Sequence, residues 1–106
     1  MREHVLYVES SIFPLLLEGA PEGEVSSLVT DLRKTHLELL RDCGRLFMDL
    51  ASCLAVEDSA QCVLGTRSRA LRLFDRIVAH TARERSQLLP LVQHHQQALR
   101  AGPVPA

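Results

Sequence analysis

The sequence predicts an all-α protein, an antiparallel up-down helical bundle of three helices. Three observations predict it. Apolar residues recur three and four positions apart along nearly the whole chain, breaks rich in Gly, Pro, Ser and Asp interrupt that pattern in only two places, and no stretch alternates apolar with polar residues as a half-buried strand would. Short breaks between long helices make consecutive helices antiparallel neighbours.

The first helix is expected over about residues 2–17, with Val5, Val8, Ile12, Leu15 and Leu16 on one face. Residues 18–23 break it, because Gly19, Pro21 and Gly23 all disfavour a helix interior. The second helix is expected over about 24–54, with the stripe Val25, Leu32, Leu40, Cys43, Phe47, Leu50 and Leu54. Residues 55–59 form a turn in which Asp58 or Ser59 caps the next helix. The third helix then runs to about Arg100, with Val63, Ala70, Leu73, Phe74, Ile77, Leu88 and Leu91 facing inward. Residues 1–100 are thus one domain, and 101–106, rich in Pro, are a disordered tail.

Composition narrows the function classes. A chain of 106 residues builds one core. Only 4% of it is aromatic, with no Trp, which argues against a base-stacking nucleic-acid fold. A net charge of −1 supplies no general attraction to nucleic acid or anionic lipid. No apolar run approaches the roughly 20 residues that span a bilayer. Met1-Arg2-Glu3-His4 leads directly into helical pattern, unlike a signal peptide. Three cysteines, an odd number without framework spacing, fit a reducing compartment, so the expected location is cytoplasmic and a disulfide between Cys53 and Cys62 is not expected.

The informative residues are polar ones inside the apolar stripes. His36 lies at the centre of the second stripe, Glu84 falls inside the third, and His80 and His4 lie at stripe edges. No Lys or Arg sits at the centre of a stripe to pair with Glu84, so its replacement by Leu is expected to stabilise the metal-free chain. Register sharpens the pattern. His4 and His36 are centred on position 20, in the first break, and His36 and His80 on position 58, in the second. Residues equidistant from an antiparallel turn share a level, so three histidines from three helices meet in one layer with Glu84 one turn away. Side chains on facing helices build metal sites in bundle cores in this way.

The two ends of the chain also echo each other. The run from His4 through Ile12, Phe13, Pro14 and Leu15 parallels that from His80 through Leu88, Leu89, Pro90 and Leu91, with His ten residues before Pro in both. Together with Thr35-His36-Leu37-Glu38-Leu39-Leu40, this resembles the hemerythrin-like (HHE cation-binding) family over about residues 2–93. The resemblance implies three helices of a four-helix bundle, non-haem iron (a di-iron pair in the family's full form), and a diatomic gas ligand. It makes His4, His36 and His80 terminal ligands and Glu84 a bridging carboxylate. Family functions include oxygen or nitric oxide binding and sensing, iron storage and iron–sulfur repair.

The departures are specific. Position 8, where a second bridging carboxylate belongs, is Val; position 32, a further His in oxygen carriers, is Leu; and the family's first helix has no counterpart in this chain. Glu9 lies beside position 8, but one residue turns a helical side chain by about 100°, so it substitutes poorly without local unwinding. A complete di-iron site within one chain is therefore not expected. The uncovered groove left by the absent helix predicts a homodimer. A metal-free helical interaction module is the alternative reading, and the residues favour a non-enzymatic role without deciding it.

Other residues point to blander roles. Cys43, on the face of His36, reads as a small buried hydrophobe. Arg69, Arg72, Arg76 and Arg83 read as a solvated flank, and His94-His95 as surface residues pointing apart.

Overall fold

A computed structural model describes residues 1–19 and 23–101, and among the described residues there are helices but no strands. Helix α1 (Arg2–Tyr7) passes into a wide π-helical turn (Val8–Ile12) and on into α2 (Phe13–Gly19). Helix α3 is Glu24–Cys53 and α4 is Ser59–Ala101. Gly23, at a φ of 88°, leads into α3 in a conformation that suits a residue without Cβ. Asp58 accepts a hydrogen bond from the Gln61 N–H at 3.3 Å and starts α4 as its N-cap. Positions 20–22 of the first break, and 102–106 of the expected tail, lie outside the described residues.

Inside α3 the positions turned inward are Val25, Val29, Leu32, His36, Leu39, Cys43, Leu46, Leu50 and Cys53, all buried or half-buried. Their spacing alternates strictly between four and three, a 3.5-residue period rather than the 3.6 of a straight helix. Over seven residues that difference turns the seam by about 20°, which a left-handed supercoil absorbs. This corrects the expected stripe. Phe47 and Leu54 are exposed, and Leu39, Leu46 and Cys53 take the inward places. The same drift displaces Val63 and Phe74 on α4, where Thr66, Leu73, His80, Glu84 and Leu88 are buried instead.

The core lies at one end. Val8, Phe13 and Leu16 from the first rod meet Val29 and Leu32 of α3 and Leu88 of α4, with Val25, Leu28 and Leu91 packed against them. Each such side chain contributes roughly 1.5–3 kcal/mol on burial. Phe13, absent from the expected first stripe, is fully buried because the π turn carries it inward.

The molecule is long, 76 × 22 × 19 Å, with a radius of gyration of 19.2 Å. A globular chain of this length would measure about 13 Å. Helix α3, of 30 residues, is about 45 Å long at 1.5 Å per residue, and the first rod covers only part of the hairpin it makes with α4. Beyond that cover the hairpin is a two-helix arm. The expected arginine flank clamps it: Arg69 pairs with Asp49 at 2.6 Å and Arg76 with Asp42 at 2.5 Å across the seam. At its tip Cys53 and Cys62 form a disulfide, their Cα atoms 5.5 Å apart. The sequence reading expected thiols there; the hairpin turn instead brings the two residues within bridging distance. Cys43 is free. No helix of the described residues is long and apolar enough to cross a membrane.

Candidate metal centre

The first rod, α3 and α4 each deliver a histidine to one level, beside the core. His4 comes from α1, His36 from the middle of α3, and His80 with Glu84 from successive turns of α4. The ring centroids of His36 and His80 are 4.7 Å apart, those of His4 and His36 6.1 Å, and those of His4 and His80 6.2 Å. One ligand atom from each of His4, His36, His80 and Glu84 lies within 4.8 Å of the others. His36 is fully buried, His80 and Glu84 are 4% and 5% exposed, and His4 is half-buried at the rim. His80, expected at a stripe edge, is buried, one turn before Glu84 on the inward face of α4. The equal-level argument thus places all four residues together; His94 and His95 take no part.

Glu84 is the hub. The His4 Nε2 donates to both its oxygens, at 2.9 and 3.1 Å, and the His36 Nε2 donates to its Oε1 at 3.2 Å. The His80 Nε2 also contacts that oxygen. This overturns the expectation of an unpaired carboxylate: the partners are imidazoles from all three layers, not Lys or Arg. Burial pushes the Glu84 carboxyl up, but the hydrogen bonds from His36 and His4 outweigh it and hold the group below its ordinary 4.5.

The histidines differ among themselves. Burial pulls His36 down, yet its contacts with Glu84 and Glu9 prevail and raise it above 6.5. Both its partners are carboxylates, which only accept, so both ring nitrogens of the metal-free imidazolium donate. His80 is lowered, first by burial and further by the neighbouring histidines against the pull of Glu84. The His80 Nε2 has only its contact with Glu84, and the Nδ1 is buried with no partner at all. An orphaned buried polar group is costly, and the imidazole is a common ligand of transition metals. Three imidazoles and one carboxylate in one layer make a donor set that fits a divalent first-row ion.

Glu9, beside Val8, also reaches the cluster. Its Oε1 accepts from the His36 Nδ1 at 3.3 Å. The local unwinding this requires is present: the π turn gives Val8–Ile12 more residues per turn, so Val8 is buried and Glu9 beside it still reaches inward. Pro14 supplies a reason for the loosened ladder. It has no N–H to give the Ser10 carbonyl, and its ring crowds that carbonyl. Pro90 stands likewise in α4 without a π turn, so proline permits the widening rather than compelling it. The Pro14 spacing was the available signal for Glu9.

The cluster opens on one side. A groove of about 460 Å³ between the first rod and α4 is lined by His4, Tyr7, Ile12, Glu84, Leu88 and Val92, among others. Comparison of this chain with protein-family models, curated proteins and solved structures finds no match.

Proposed function

We propose that this chain is a metal-binding helical bundle in which His4, His36, His80 and Glu84 hold a first-row transition ion. One observation carries this reading. Four donors from three separate helices converge in one buried layer, three imidazoles about a single carboxylate, and the Nδ1 of His80 has no partner there. Three imidazoles crowded onto one buried carboxylate share too few acceptors; a cation gives one nitrogen of each imidazole a bond.

The hemerythrin-like resemblance makes the ion non-haem iron, with oxygen or nitric oxide as the ligand class. The order of the three helices and the repeated His-to-Pro spacing support that finer reading, while Val8, at the place of a bridging carboxylate, weighs against a complete family site. Bound iron would offer Lewis acidity and an exchangeable position. The chain's own residues set the access: the groove beside His4 is the side by which a small ligand would approach.

A second reading, a metal-free interaction module, draws on the exposed apolar arm, where Phe47 and Phe74 are 70% and 62% exposed. One experiment separates them. Protein prepared under reducing, anaerobic conditions is equilibrated with Fe²⁺, desalted and analysed for metal and visible absorption. Stoichiometric retention supports the metal centre; trace metal only, at every ion tried, removes it.

A further inference from the structure

We infer that the cluster is built for a single cation, and that Glu9 is not one of its ligands but the outer carboxylate that holds His36 in position for it. This rests on the metal-binding reading above and deepens it.

Glu9 touches one particular nitrogen of His36. The His36 Nε2 points into the cluster toward Glu84, and the Nδ1, on the other side of the ring, points to Glu9. A carboxylate on Nδ1 keeps the proton there and leaves the Nε2 lone pair for a cation. Phe13 adds a second constraint. Its ring stacks on His36 with centroids 5.8 Å apart and planes 11° from parallel. One contact fixes the ring's plane and the other its rotation within that plane, so His36 is positioned before any ion arrives. Both contacts come from the π turn and the residue directly after it, and local widening of a helix commonly accompanies such sites.

Counting donors gives the stoichiometry. The four inner atoms lie within 4.8 Å of one another, a spread that side-chain shifts of about 1 Å close to the roughly 4 Å that donors on one ion with bonds of about 2 Å can span. Two ions would share four donors, and the nearest further carboxylate, Glu9, is engaged behind His36. Placement agrees: the Glu9 carboxyl lies on the far side of the His36 ring from Glu84, where an outer partner of a ligating imidazole belongs. Glu9 is partly exposed, at the outer side of His36.

The test uses the full chain with Co²⁺ and Zn²⁺, with affinity read by chelator competition and stoichiometry by elemental analysis. The unsubstituted chain is expected to bind one ion. Glu9→Ala is expected to bind one ion with an affinity about 10–100-fold weaker. Glu9→Gln, whose amide oxygen still accepts from Nδ1–H, is expected to lose less. The ¹⁵N shifts of the unsubstituted zinc-loaded chain should show His36 protonated at Nδ1 and not at Nε2, a readout independent of how the variants fold. Two ions per chain, falling to one in Glu9→Ala, would make Glu9 a direct ligand and overturn the inference. So would the opposite tautomer, or unchanged affinity in Glu9→Ala. Absence of binding by the unsubstituted chain overturns the metal reading itself, a distinct result.

Discussion

His36 and His80 face each other across the α3–α4 hairpin with ring centroids 4.7 Å apart and planes at 76°. One is raised above 6.5 by two carboxylates and the other is lowered, although they sit in the same layer. Burial disfavours charge on both. Only His36 has two carboxylates in hydrogen-bond contact, which draws the proton to its side.

The first prediction concerns these two rings. His36→Ala and His80→Ala should each weaken Co²⁺ binding by more than the ~10–100-fold expected of an outer-sphere change. Chelator competition measures it. Affinity within tenfold of the unsubstituted chain in both variants would show that the ion, if bound, sits elsewhere.

Glu84→Leu gives the second. The carboxylate accepts from His4 and His36, so its loss leaves the buried His36 Nε2 without a partner. A stranded buried group costs about 1–3 kcal/mol. For a domain of this size, that lowers the melting temperature by about 4–8 °C per kcal/mol. Calorimetry of the metal-free protein should show the fall, and metal binding should be lost with it. An unchanged or raised melting temperature would restore the sequence-based expectation of an unpaired carboxylate.

The third is a pH dependence whose sign reverses with metal. The folded pKa of His36 is raised, so its stabilisation is fully present below its unfolded value of 6.5 and is lost as pH rises through the folded value. His80 is lowered, so its effect is confined to pH below 6.5, where stability falls as the pH falls. The Glu84 contribution is likewise lost on acidification, as pH falls through a folded pKa below 4.5. Above pH 6.5 the metal-free chain should therefore lose stability as pH rises. With metal the trend should turn upward over the same range, since ligation needs unprotonated imidazoles. Denaturant unfolding at several pH values, with and without chelator, checks both signs.

The fourth is local. Reduction of Cys53–Cys62 opens a loop with a sequence separation of 9. Loop-closure entropy puts the loss at about 2.5 kcal/mol. The bridge lies some 17 residues along α3 from His36, or about 25 Å. Metal affinity should stay unchanged on reduction while the melting temperature drops; a coupled loss of affinity would show that the tip and the cluster are linked.

The fifth concerns the arm. Phe47 and Phe74 are exposed on the two helices that the first rod leaves bare. The chain should form a two-fold dimer that buries them, and Phe74→Glu should return it to a monomer. Sedimentation equilibrium reads the result, and an 11.8 kDa monomer at micromolar concentration would refute the dimer.

The sequence by itself determined the number and direction of the helices, and the common level of His4, His36, His80 and Glu84. Both follow from distances along the chain: breaks at about 20 and 58 fix where it reverses, and a rise of about 1.5 Å per residue fixes height. Facing was less legible. A wheel of 100° per residue placed Phe47, Leu54 and Phe74 inward and omitted Phe13, because rotation depends on supercoiling and on helical widening, which only packed neighbours select. The same dependence hid Glu9, whose contact with His36 exists because Val8–Ile12 is unwound. The pairing of Glu84 with imidazoles and the Cys53–Cys62 bridge were also decided in three dimensions. Sequence spacing sets how far along an axis a side chain lies; which partner it meets there is set by the azimuth, and the tertiary packing of α3 against α4 and the first rod determines that.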